Sequence, residues 1–164
     1  MNFQNANKTL KVVLSVGDES GIGPEIILKA LCSSQIPKNI DFTIVGSKKN
    51  LQNTYKKLRS LGLENLANPK NLKIHDLEIS SSHNSPKSNY GNASFYYLKK
   101  AIEIVKQYLK SALVTGPICK KSWSLAGHYF SGQTEVLAQS CGVKNVGMLF
   151  TAKSPITGWR FNTF

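Results

Sequence analysis

Two short stretches hold the residue types that could carry chemistry. The first is GDESGIGPE, Gly17 to Glu25. Two carboxylates, Asp18 and Glu19, stand beside a glycine-rich turn that opens a helix. Such a turn can offer backbone N–H groups and a helix start to an anion. No GK[ST] follows and the spacing is not GxGxxG, so this is neither a P-loop nor a dinucleotide fingerprint. The alternative is a tight strand-to-helix connection in which Asp18 and Glu19 merely cap the helix. The second stretch is TGPICKKSWSLAGHYFSGQTEVLA, Thr115 to Ala138. Thr115 and Gly116 close an apolar run, at the strand end where α/β enzymes place ligands. Lys120 can hold a phosphate as a point charge, whereas Lys121 reads as a solvated surface lysine. Gln133 and Thr134 stand where another helix begins and can hydrogen-bond a substrate oxygen. Equally, Thr134 can be an N-cap with Glu135 in the first turn.

The remaining reactive residues are dispersed. His75, His83 and His128 lack metal-ligand spacing and no carboxylate clusters with them. Cys32, Cys119 and Cys141 form no CxxC and are odd in number, so they read as free thiols rather than a disulfide framework or zinc site. Cys119 has a lysine beside it, which would lower its pKa. Nothing else marks it as a nucleophile.

The elements that must position these residues follow from periodicity. Residues 11–17, 41–46, 71–77, 111–116 and 145–150 read as strands, from short apolar and β-branched runs. Residues 23–31 read as a helix with Pro24 at its first position. Helices are also predicted over 48–60 and 92–109, where Phe95, Leu98, Ile102, Val105 and Leu109 recur at helical spacing. A helix over 134–142 closes on Gly142. Residues 78–92 are rich in Ser, Asn and Pro and read as a loop, and WRFNTF at 159–164 resembles a further strand. Residues 1–10 are polar and expected to fray. Strand and helix alternate, which predicts an α/β/α sandwich on a largely parallel sheet.

Composition narrows the partners. The 164-residue chain has a formal charge of +12, with 21 Lys and Arg against 9 Asp and Glu. Arg occurs only at positions 59 and 160, and the lysines are scattered. Bidentate phosphate and base recognition favours arginine, so a nucleic-acid partner is not expected. No apolar run is long enough for a membrane span and the N-terminus lacks a signal-peptide shape. A cytoplasmic address is expected.

Taken together, VGDESGIGPEI and ALVTGPICKKSWSLAGHYFSGQTEVLA resemble the 4-hydroxythreonine-4-phosphate dehydrogenase family of pyridoxal 5'-phosphate biosynthesis. NYGNASFYYLKKAIEIV resembles the family's preceding helix. The resemblance implies a two-domain fold similar to isocitrate and isopropylmalate dehydrogenases. It implies NAD- or NADP-dependent oxidation of 4-phosphooxy-L-threonine, then decarboxylation to 3-amino-2-oxopropyl phosphate. It further implies a divalent metal (Zn, Mg or Co) and a homodimer whose site lies in the interdomain cleft. By the same resemblance Gln133, Thr134 and Lys120 bind substrate, and Asp18, Glu19, Thr115 and Gly116 line the cleft. Many members carry His where Gln133 stands, and Gln can bind but not shuttle protons near neutral pH. The family's metal-binding histidines and most nicotinamide contacts lie beyond the matched segment, so no metal ligand is expected here. Residues 11–164 are expected to be the N-terminal part of a truncated dehydrogenase, its C-terminal part absent and its own activity open. The alternative is a non-catalytic phosphate- or nucleotide-binding module.

Overall fold

The computed structural model describes residues 9–37, 39–79 and 85–163. The chain divides into two compact units, residues 1–130 and 131–164. In the first, the element order is β1 (Leu10–Ser15), α1 (Gly23–Ala30), β2 (Ile40–Gly46), α2 (Lys48–Ser60), β3 (Ile74–Asp76), α3 (Pro86–Val105), β4 (Ser111–Thr115) and α4 (Lys120–Leu125). A 3-10 turn at Pro69–Asn71 precedes β3. The four strands form one sheet in the order β3-β2-β1-β4, and every pairing is parallel. Val13 pairs with Thr43 on one side and Leu113 on the other, so β1 is central.

Successive strand residues point to opposite faces, and each face has its own helices. Leu14, Phe42 and Val114 meet Ile26, Ile27 and neighbouring residues of α1 on one face. Lys11, Thr43 and His75 meet the last turns of α3 on the other. The core runs through both layers, with Val13, Leu28, Val45, Leu51 and Ala101 fully buried. This is the α/β/α arrangement expected from the alternation of elements.

Several boundaries differ from the sequence reading, each for a local reason. Helix α3 starts at Pro86 rather than within 92–109, because Ser85 accepts a hydrogen bond from Ser88 N and Pro86 takes the first position. A Ser-Pro pair that reads as loop punctuation is here a helix start. The same helix stops at Val105, so Leu109 leaves the apolar stripe and is exposed. Leu10 already belongs to β1, while residues 1–8 of the expected frayed N-terminus lie outside the described residues.

In the second unit, α5 (Gln133–Cys141) ends on Gly142 in the left-handed conformation (φ 67°), as the sequence predicts. No strand forms over 145–149. Instead β5 (Phe150–Lys153) and β6 (Arg160–Thr163) pair antiparallel. The turn between them is stitched by Ser154, whose hydroxyl accepts from Ile156 N and Thr157 N. Cross-strand partners share a face. Phe150 opposite Thr163 and Ala152 opposite Phe161 make one face apolar, while Thr151 opposite Asn162 and Lys153 opposite Arg160 make the other polar.

Candidate functional site

The carboxyl ends of β1 and β4 are locked together by backbone contacts too close for side chains. Gly116 N donates to Ser15 O at 2.7 Å, and Asp18 N donates to Pro117 O at 2.9 Å. A Cβ on Gly17 would lie 2.3 Å from Pro117 O, and φ there is +77°. A Cβ on Gly116 would lie 2.2 Å from Val16 O. Both glycines are therefore required for the approach of the two loops. The result is one edge carrying Asp18, Thr115 and Gly116, where open α/β sheets bind ligands.

Asp18 is buried. Its Oδ1 accepts from Ser20 N at 2.9 Å and Ser20 Oγ at 2.7 Å, which pins the GDESG turn. It does not cap α1: the N-cap is Ile22, without a side-chain bond. Glu19 does not cap α1 either. Its Oε1 accepts from Tyr97 Oη at 2.5 Å and from Ser47 N at 3.2 Å. Burial pushes the Glu19 carboxyl above the usual carboxylate range, with the charges of Asp18 and Asp76 adding to that push. The Tyr97 hydroxyl is raised as well, first by burial and then by the Glu19 charge. Asp76 Oδ1 accepts from Lys48 N at 2.8 Å. Two carboxylates thus face the first amides of α2, where the helix dipole favours negative charge.

Lys120 is the first residue of α4 and is exposed. Helix α4 is held against α3 by Trp123, fully buried, whose Nε1 donates to Ser94 Oγ at 2.7 Å. Ser88 Oγ adds a bond to Leu125 O at 2.9 Å. Cys119, the residue before Lys120, has its thiol pKa lowered. The cause is hydrogen bonding from the Ser122 side chain, then from the Ser122 and Lys121 amides, rather than the neighbouring lysine charge that the sequence suggested.

His128 stacks on Phe95 (centroids 3.8 Å apart, planes 10° apart) and its Nε2 lies 2.9 Å from Asn92 Oδ1. That is a packing role. His75 lies in β3 on the face that α3 covers, and His83 lies outside the described residues. Among the described residues no three His, Cys, Asp or Glu side chains converge to hold a metal ion. The described residues therefore offer no ligand set that fits a divalent metal.

Gln133 and Thr134 belong to the second unit, in the first turn of α5, both half-buried. The N-cap is Gly132, with no side-chain bond, so Thr134 is not the cap. Sequence reading did not single out Tyr97, Ser47 or Asp76. Tyr97 lies 78 positions from Glu19, and only the fold joins them.

Comparison with known proteins decides the family. The profile of the family described as pyridoxal phosphate biosynthetic protein PdxA matches residues 38–158. The chain belongs to the PdxA family. A 4-hydroxythreonine-4-phosphate dehydrogenase of Nostoc sp. is 46% identical over 91% of this chain and 43% of its own length. One from a Synechococcus species is 43% identical over 92% of this chain and 44% of its own. A solved 4-hydroxythreonine-4-phosphate dehydrogenase from Burkholderia phymatum superposes with a TM-score of 0.73 at 23% identity, covering 89% of this chain and 48% of that one. The likeness to the solved structure concerns the fold. The chain spans less than half the length of the curated relatives it matches. Lys120, Gln133 and Thr134 fall inside the matched PdxA segment, whereas Asp18 and Glu19 precede it.

Proposed function

We propose that this chain supplies the phosphate-binding part of a 4-hydroxythreonine-4-phosphate dehydrogenase. The whole reaction is oxidation of 4-phosphooxy-L-threonine by NAD or NADP, with decarboxylation to 3-amino-2-oxopropyl phosphate. A cytoplasmic homodimer of two-domain subunits, with divalent metal, goes with that reading. Support comes from the names of the relatives. The observation that carries this chain's share is the locked edge of β1 and β4. It sets Thr115 and Gly116 beside the GDESG turn and starts α4 at Lys120.

The chemistry follows from the residue types. Lys120 meets a phosphate dianion as a mobile point charge. Gln133 and Thr134 donate to substrate oxygens, and Gln133 holds no proton to exchange near neutral pH. These residues bind and orient. No candidate acid or base among them abstracts the hydroxyl proton, and the metal ligands are not in this set.

The test has two readouts. Calorimetry with 4-phosphooxy-L-threonine should show binding that Lys120→Gln weakens by about ten-fold, the worth of a lost charged hydrogen bond. The same chain is then assayed for formation of reduced nicotinamide, with NAD or NADP and a divalent metal. Binding without reduction would support the alternative, a non-catalytic phosphate-binding module. Failure of Lys120→Gln to weaken binding would remove Lys120 from the site.

A further inference from the structure

The sheet face covered by α3 carries a basic pocket that reaches the amino end of β1. Where the last turns of α3 lie over β1, β2 and β3, a cavity of about 280 Å³ opens. Its floor is built from two buried side chains, Lys11 and Thr43, each only 5% exposed. Lys11 Nζ donates to Thr43 Oγ1 and to Asp41 Oδ2, both at 2.7 Å, and lies 5.5 Å from the Tyr108 ring. Lys73, His75, Lys100 and Tyr108 complete the wall.

The charges do not balance within the cavity. Three lysines are among its lining residues, and Glu103 is the one acidic residue among them. Glu103 is engaged by Lys100 at 2.7 Å. Asp41, more exposed than Lys11 and outside the cavity lining, is shared between Lys11 at 2.7 Å and Lys73 at 3.5 Å. One carboxylate thus answers two cations, and a buried lysine is costly unless well compensated. Apart from Glu103, the polar side chains of the wall can all donate, from lysine, imidazole, hydroxyl or amide.

We propose that this cavity binds a small phosphorylated anion, separate from the edge that carries Thr115 and Lys120. Its tetrahedral oxygens would accept from Lys11 and Thr43 at the floor and from Lys73 and Lys100 at the rim. Lys11 stands four residues before Ser15 in β1, roughly 13 Å at about 3.3 Å per residue, so one phosphate cannot occupy both ends. The site is independent of the substrate reading above.

The test is thermal unfolding of the chain in rising inorganic phosphate, at ionic strength held constant with chloride. Wild type and Lys120→Gln should both gain in midpoint. The double variant Lys73→Gln/Lys100→Gln, altered only at the rim, should lose that gain or need at least about ten-fold more phosphate. Glycerol phosphate run in parallel tells a free phosphate from an ester by which acts at lower concentration. In amide NMR of the wild type, phosphate should move Thr43 and Tyr108. A full gain in the double variant, no gain in wild type, or unmoved Thr43 and Tyr108 signals would overturn the proposal.

Discussion

Replacing Gly91 by Ala sets two known effects against each other. Gly91 lies within α3, where alanine would ordinarily stabilise the helix by about 1 kcal/mol. But a Cβ there would lie 2.0 Å from Ser122 O, 2.3 Å from Ser122 C and 2.9 Å from Trp123 N. These are backbone atoms of α4, so no rotamer change relieves the clash. Ordinary contact starts at 3.4 Å, so α4 must move by more than about 1 Å. That helix is pinned by the Trp123–Ser94 and Ser88–Leu125 hydrogen bonds. Overpacking of this kind costs about 1–3 kcal/mol, and stretching those bonds adds to it. With the helix gain of about 1 kcal/mol subtracted, Gly91→Ala should therefore destabilise the chain by about 0.5–3 kcal/mol net. Urea unfolding checks it, followed by the fluorescence of Trp123 in a Trp159→Phe background. The midpoint should fall with the slope unchanged. A variant as stable as wild type would refute the reasoning, because the α3–α4 crossing would then be looser than the geometry requires.

Two further outcomes follow from the same packing. Glu19→Gln should stabilise the fold at neutral pH. The folded pKa of Glu19 is raised, by burial first, so the charged form weakens the fold as pH rises above the unfolded value. The advantage of Gln should shrink as pH falls through the folded pKa, and stability curves of both proteins across acid pH will check this. A constant difference at every pH would refute it. Trp123→Phe, which removes the indole N–H from Ser94, should cost about 1–2 kcal/mol by thermal unfolding. No loss would mean that α4 is held mainly by other contacts.

How much of this was legible in the sequence varies by element. The β-branched runs of β1 and β2, the stripe Phe95–Leu98–Ile102, and Gly142 as a helix stop all speak through local periodicity or backbone freedom. That Thr115 ends a strand and Lys120 starts a helix is legible because a strand end followed by Gly-Pro is a local pattern. The start of α3 was hidden because Ser85 and Pro86 signal a loop and a helix cap with the same letters. Leu109 followed the helical stripe but lies past the helix end. The missing strand at 145–149 shows that an apolar run needs a partner to become one. Glu19 with Tyr97, and Lys11 with Asp41 and Thr43, are long-range meetings that no spacing announces. At Cys119 the sequence points to the neighbouring lysine, but the Ser122 and Lys121 hydrogen bonds lower the thiol pKa, because proximity in sequence is not proximity of charge.

The central position of β1 also bears on how the chain folds. Its register with β2 joins residues 30 apart, but Lys11 meets Ser111 across 100 positions. As the chain leaves the ribosome, one side of β1 can zip to β2, and the far side of β2 to β3, early. The other side must wait until β4 emerges. Closing so long a span is slow compared with local pairing. During that interval the N–H and C=O groups along one side of β1 are unpaired and open to the wrong strand. The same Gly17 and Gly116 that let the two loops touch therefore act late, at the step that ends this vulnerable period.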